Sequence, residues 1–352
     1  MPLRVLQIGP YSKPHGGVQG HVVALRRYLQ ARGVSCEVVD LNRERRTDGA
    51  GVYGPRHAAE LARLLLTLRY DVAHLHVGGN LTARLVGLAL LCAGRPRSGS
   101  VFTFHSGGYP SSPEGRAARP RSLRGLAMRR FDRVVAVNEE IAAWFGQVGV
   151  PAERVRVIHP YALPAAPPAV EPPEPLRSFL ARHRPRLVSV GLLEPEYDLP
   201  LQIEVLGRVR ERFPEAGLVL VGSGSLEGEL RRRIAAEPFG EHVLLCGDVE
   251  RQVTLRVIAD SDVMLRTTLY DGDSISVREA VHFGVPVVAT DRAPRPEGVR
   301  LVPAQDPARI SEAAEACLRN GARRPPRNEP REENLAALLA LYEELARGRG
   351  RR

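Results

Sequence analysis

The 352-residue sequence predicts an α/β protein of two doubly wound, parallel-sheet domains that face a cleft. Three observations carry this. Short β-branched runs alternate with amphipathic segments as far as Pro160, a proline-rich interruption follows, and the alternation then starts again. Strand-helix alternation gives a parallel sheet covered by helices on both faces, so each half reads as a Rossmann-like domain.

In the first half, buried strands are expected at residues 3–8, 34–39, 72–76, 101–104, 134–137 and 155–158. The first helix carries Val18, Val22, Leu25 and Leu29 on one apolar stripe and stops at Gly33. Asn138, with Glu139 and Glu140 after it, caps another helix, because first-turn carboxylates suit its positive end. Pro164, Pro167, Pro168, Pro172, Pro173 and Pro175 then exclude both helix interior and central strand, which makes 162–175 a linker. Strands restart at 187–190, 218–221, 243–245, 263–265 and 286–289, with a helix near 226–236 among them. Leu335, Leu338, Leu339, Tyr342 and Leu345 have helical periodicity at the end of the chain. The expected domains are 1–161, 176–328 and a helix within 329–352 that packs back toward the first domain. Ligands in open α/β sheets bind outside the carboxyl ends of the strands, where the site should be sought.

Composition narrows the class. With 43% hydrophobic and 26% charged residues the chain is globular, and neither disordered nor collagen-like. The longest apolar run, 85–94, is too short to span a bilayer, and the N-terminus runs directly into a strand, so a cytoplasmic protein without a signal peptide is expected. Cys36, Cys92, Cys246 and Cys317 lie far apart and read as buried thiols. The net charge of +10 rests on 49 arginines and one lysine, Lys13. That skew is discounted as a nucleic-acid signal, and no aromatic stacking motif or helix-turn-helix accompanies it.

The segment from Leu265 to Thr290 carries the most chemistry. A strand ends, a glycine-containing loop turns, and a helix begins near Ser274, whose free N–H groups attract phosphate. Asp271 in the loop and Glu279 eight residues later are carboxylates suited to vicinal sugar hydroxyls. The competing reading is a capped helix with a surface carboxylate. Gly16-Gly17 is either a phosphate-approach loop or a plain turn, and His105 either lines a site or is a hydrogen-bonded core histidine. His74 and His76 share a strand face but lack a third metal ligand nearby, which favours cleft lining or core.

The 271–279 segment resembles the E-x7-E region of retaining glycosyltransferases of family 4, which have the GT-B fold, with Asp271 in place of the first glutamate. Gly284-Val-Pro-Val-Val-Ala-Thr290, Gly16-Gly17, Phe102-Thr-Phe-His105, Val157-Ile158-His-Pro160, Val221-Gly-Ser-Gly224, Cys246-Gly247 and Leu341-Tyr-Glu-Glu-Leu345 are similar to other family segments in order and spacing. The resemblance implies a retaining transferase that moves a sugar from a nucleotide-sugar donor to a saccharide or lipid-linked acceptor, in polysaccharide or glycolipid synthesis. It implies catalytic roles at the sugar for His105 and Asp271, and donor contacts from Gly16, Gly17, Gly272, Asp273, Ser274 and Glu279, with Glu279 on the ribose. No metal or other cofactor is expected.

One region departs from the family pattern. Leu192 stands at the usual phosphate-binding arginine and Tyr197 at the usual lysine. Arg266 and Arg278 are the preferred substitutes, since arginine offers a phosphate-matched fork. The alternatives are a divalent cation on Asp271-Gly-Asp273, or a non-catalytic protein that binds a sugar nucleotide or a partner on the same scaffold. Arg116, Arg119, Arg121, Arg124, Arg129 and Arg130 form a basic stretch suited to anionic lipid headgroups at the inner face of a membrane, or else a solvated helix face.

Overall fold

The structure is a computed structural model that describes residues 2–12, 17–42, 50–93, 98–160, 163–271, 274–293, 295–319, 321 and 332–349. It divides into two units, Met1–Ala162 with Glu332–Arg352, and Leu163–Arg331.

The first unit runs β1 (Arg4–Gly9), α1 (Gly17–Ala31), β2 (Ser35–Asp40), β3 (Val52–Tyr53), α2 (Ala58–Thr67), β4 (Val72–Val77), α3 (Ala83–Ala93), β5 (Gly99–Phe104), α4 (Pro113–Ala117), α5 (Leu123–Met128), β6 (Arg133–Ala136), α6 (Glu139–Gln147) and β7 (Val155–Val157). Its seven parallel strands lie in the order β3-β2-β1-β4-β5-β6-β7. Strand neighbours place alternate side chains on opposite faces. Leu6, Ile8, Leu75, Phe102 and Val134 pack on one side with Trp144 and Phe145, and Val5, Val72, Val101 and Val135 on the other with Leu25 and Leu29 of α1. Asn138 caps α6 by accepting from Ile141 N–H at 2.9 Å. The short edge strand β3 was not expected from sequence; two residues carry no readable period.

The second unit follows with α7 (Leu176–Arg182), β8 (Arg186–Val190), α8 (Leu199–Arg210), β9 (Gly217–Val221), α9 (Glu227–Ala236), β10 (Val243–Gly247), α10 (Arg251–Asp260), β11 (Val263–Arg266), α11 (Ile275–His282), β12 (Val287–Thr290), β13 (Arg300–Val302) and α12 (Pro307–Arg319). Six parallel strands lie in the order β10-β9-β8-β11-β12-β13. Leu187, Leu218, Leu220 and Leu265 face α8 and α12, whereas Val188, Val219, Met264 and Val287 face α7, α10 and α11. The edge strand β13, short and largely exposed, was also missed.

The last helix, α13 (Glu333–Arg349), belongs to the first unit. Leu335, Leu338, Leu341, Tyr342 and Leu345 are buried against the Val5, Val72 and Val101 face of its sheet. No described helix is long and apolar enough to cross a membrane.

Candidate functional site

In each sheet the strand order reverses beside the first strand, at β1/β4 and at β8/β11. Such switch points leave a crevice at the carboxyl ends of the strands.

At the β8/β11 point the backbone is packed closely around Gly191. A Cβ on Gly191 would lie 2.1 Å from Tyr197 Cε1, and one on Gly222, at φ +133°, would lie 1.9 Å from the Gly191 carbonyl oxygen. Only glycine fits either position. Arg266, the last residue of β11, donates from Nη1 to the Val190 carbonyl at 2.9 Å. Its Nε and Nη2 both approach Asp271 Oδ2 at 2.9 Å. Its guanidinium carbon stands 4.6 Å from the centre of the Tyr197 ring, the residue at the expected lysine position.

A second arginine, unforeseen in the sequence, completes the cluster. Arg295 places Nη1 2.6 Å from the same Asp271 oxygen and donates from Nη2 to Thr268 Oγ1 at 2.8 Å. Its side chain is 1% exposed, against 6% for Arg266 and 13% for Asp271. Burial pushes the Asp271 carboxyl up, but the two guanidiniums outweigh it and hold it below its ordinary value. In the sequence Arg295 stands between two prolines, and nothing there distinguishes it from the chain's many other arginines; only its return to the β11 loop does.

Helix α11 starts at Ser274, whose hydroxyl lies 3.3 Å from that of Ser276, and Ser276 in turn donates to the Val190 carbonyl at 3.3 Å. The first-turn amides of α11 therefore begin beside the end of β8. Glu279, one turn on, is buried, and Arg251 at the start of α10 brings Nη1 to 2.6 Å from its Oε1. That oxygen meets no donor at hydrogen-bonding angles, so the contact is an ion pair of charge rather than of aligned donors. Burial raises the Glu279 carboxyl and Arg251 opposes the rise. Arg278 is half-buried on the same helix. The expected contacts Gly272 and Asp273 lie outside the described residues.

At the β1/β4 point of the first unit, Gly17 opens α1, while Gly16 lies outside the described residues. His105 follows β5, its N–H donating to the Val77 carbonyl at 2.8 Å. His21 of α1 and His76 of β4 stand beside it, with ring centres 5.5 and 5.7 Å from its own. His74 is stacked on His76 at 3.8 Å, which makes these strand histidines core and lining. Among the described residues no group of three or more His, Cys, Asp or Glu could hold a metal ion. His105 is half-buried, and desolvation together with neighbouring imidazoles holds it neutral, well below its ordinary value.

Comparisons with known proteins match this layout. Residues 15–161 fit the family model Glycosyltransferase Family 4, and residues 184–320 fit Glycosyl transferases group 1. Each unit of the chain thus matches a glycosyltransferase family model. It is 27% identical over 353 residues to a phosphatidyl-myo-inositol mannosyltransferase of Mycobacterium leprae, covering 90% of this chain and 88% of that one. Among solved structures, HepE of Anabaena in complex with UDP-glucose aligns at a TM-score of 0.68 with 16% identity, over 99% of this chain and 100% of that chain. Sucrose-phosphate synthase of Thermosynechococcus elongatus aligns at 0.66 with 18% identity, over 99% and 98%. At such identities the structural likeness establishes the two-Rossmann-like glycosyltransferase fold. The sequence-derived site residues divide accordingly: Arg266, Asp271, Ser274, Arg278 and Glu279 lie along β11, the loop after it and α11 in the region matched by the group 1 model, and Gly17 and His105 in the region matched by the family 4 model.

Proposed function

We propose that the protein transfers a sugar, with retention of anomeric configuration, from a nucleoside-diphosphate sugar held by the second unit to a saccharide or lipid-linked acceptor. The observation that carries this reading is the pairing of a buried carboxylate, Glu279, with a helix N-terminus and a buried arginine at one switch point. Glu279 accepts the two ribose hydroxyls, and Arg251 favours its charged form against the effect of burial. The α11 amides and Ser274 receive phosphate. Arg266, resting on the Tyr197 ring, supplies the cation that the lysine position lacks, and Arg278 on α11 is the second candidate for that charge. Asp271, held in place by Arg266 and Arg295, and His105 meet the transferred sugar, and the leaving phosphate assists attack from the same face. The site's contribution is positioning and stabilisation of developing charge, and no divalent metal is needed. HepE, which shares the fold, has been crystallised with UDP and with UDP-glucose.

The lipid-linked branch of the acceptor reading rests on the first unit. On α5, Leu123 is 70% and Leu126 43% exposed. None of Arg116, Arg119, Arg121, Arg124, Arg129 and Arg130 is ion-paired among the described residues; Arg119, Arg124 and Arg129 donate to backbone carbonyls instead. Exposed leucines within uncompensated arginines suit an anionic membrane surface.

Two experiments test the proposal. Incubation with a panel of nucleotide sugars and model acceptors, followed by NMR of the anomeric proton, should give a product of retained configuration, at a rate unchanged in excess EDTA. Inverted product would contradict retention, and donor binding without transfer or hydrolysis would favour a binding protein. Flotation with anionic liposomes should be lost on Leu123→Ser/Leu126→Ser substitution; equal flotation on neutral vesicles would contradict the preference for anionic lipid, and no flotation on either would contradict the membrane contact.

A further inference from the structure

Behind His105 lies a column of polar side chains that the donor site does not use. Tyr342 of α13 hydrogen-bonds through its hydroxyl to His74 Nδ1, and His74 Nε2 meets Thr103 Oγ1 at 2.6 Å. Both nitrogens of His74 are thereby fixed, and its ring plane stacks against His76 at 3.8 Å. His76 Nδ1 stands 3.4 Å from His105 Nε2. The other nitrogen of His76, Nε2, is buried without a partner.

This arrangement restricts where protons sit. The two facing nitrogens can share one hydrogen. If each carried one, two N–H hydrogens would be driven against each other across 3.4 Å; if neither did, two lone pairs would face each other there. Two neutral arrangements remain. When His105 carries its proton on Nε2 and donates to His76, the proton of His76 is forced onto Nε2, a buried N–H with no acceptor. When His76 carries its proton on Nδ1 and donates to His105, only a lone pair is left facing the interior. Orphaned buried N–H groups are the rarer defect in proteins, so the second arrangement prevails. His105 then bears its hydrogen on Nδ1.

We propose that His76, clamped by the Tyr342–His74–Thr103 column, is a positioning residue that fixes His105 as an Nδ1–H hydrogen-bond donor, the form that can donate to a hydroxyl or carbonyl-type oxygen of the bound sugar. The proposal rests on the reading of His105 as a group at the transferred sugar, but the tautomer itself does not depend on it.

The test is long-range 1H–15N correlation NMR on the full chain labelled with 15N-histidine, with His105 assigned by its loss in His105→Gln. In the wild type at pH 7.5, His105 is expected to show a protonated Nδ1 and an unprotonated Nε2. His76→Phe fills the space but removes the donor, and should release His105 to a tautomer mixture or to Nε2–H. His76→Gln restores an N–H donor of similar reach and should restore the Nδ1–H form. Under turnover, His76→Phe should lower kcat at least tenfold with KM changed less than threefold, and His76→Gln should recover most of it. A wild-type His105 that carries its proton on Nε2, or on both nitrogens, overturns the proposal, as does a His76→Phe spectrum with the wild-type tautomer. The wild-type spectrum decides the matter even where a variant fails to fold. The expected tautomer in a protein that transfers no sugar would sink the functional reading alone.

Discussion

Asp271→Asn tests the electrostatic centre of the second unit. In the native cluster one carboxylate oxygen receives Arg266 at 2.9 Å and Arg295 at 2.6 Å, and neither arginine is more than 6% exposed. The amide removes the negative charge and leaves two guanidiniums facing each other in a nearly water-free space. Removing one partner of a buried ion pair typically costs about 3–5 kcal/mol. For a unit of this size each kcal/mol lowers the Tm by roughly 2–4 °C, so a fall of about 6–20 °C is expected. Differential scanning calorimetry is the suitable assay, because the only tryptophan, Trp144, is buried in the first unit and its fluorescence reports that unit alone. The calorimetric transition should fall while the Trp144 transition stays within a degree or two. Asp271→Asn/Arg295→Met should lose less than Asp271→Asn alone, since the double substitution removes one of the uncompensated charges. The wild-type carboxylate is held below its ordinary value of 3.8, so its stabilisation is present above that pH and lost as pH falls through the folded value. The deficit of the variant should therefore narrow in strong acid. A Tm drop below 2 °C at neutral pH would refute the argument that this carboxylate compensates both arginines.

Three further outcomes follow from the same structure. Gly222→Ala places a Cβ 1.9 Å from the Gly191 carbonyl at a φ of +133°, and should destabilise the second unit by several kcal/mol and abolish donor-induced thermal shifts; wild-type shifts would contradict it. Tyr342→Phe strips the partner from buried His74 Nδ1 and should cost about 1–3 kcal/mol in urea unfolding followed by Trp144 fluorescence, with little change in the second unit's transition. His74, His76 and His105 are all held well below the ordinary histidine value of 6.5 by burial and, secondarily, by neighbouring imidazoles, that of His21 acting on all three. Unfolded chains then bind protons that the folded unit does not. Below pH 6.5 stability should fall by up to about 1.4 kcal/mol per pH unit for each histidine, and above it the penalty vanishes. A first-unit urea midpoint that is flat between pH 7.5 and 5.5 would contradict this.

The sheets were legible because parallel strands are buried on both faces and read as continuous β-branched runs, such as Val134–Ala136 and Val287–Thr290. The edge strands β3 and β13 escaped because two or three half-exposed residues have no period. At the site, Glu279, Ser274 and Arg266 could be found because they lie within one strand-loop-helix segment. Arg295 and Arg251 could not. Each reaches its carboxylate from a different stretch of chain, and in a sequence with 49 arginines neither stands out by type. The histidine column was half visible: the spacing of His74 and His76 placed them on one face, but Tyr342 joins it only because α13 returns to the first sheet.

The central claim is that Glu279 holds the ribose of a nucleoside-diphosphate sugar in the second unit. Isothermal titration with the nucleotide sugar that most raises the Tm, compared between wild type, Glu279→Gln and Arg251→Gln, measures it directly. The account predicts at least a tenfold loss of affinity in Glu279→Gln, and a loss in Arg251→Gln that grows as pH is lowered toward 5. Equal affinity across the three proteins, or no heat with any nucleotide sugar, would contradict it.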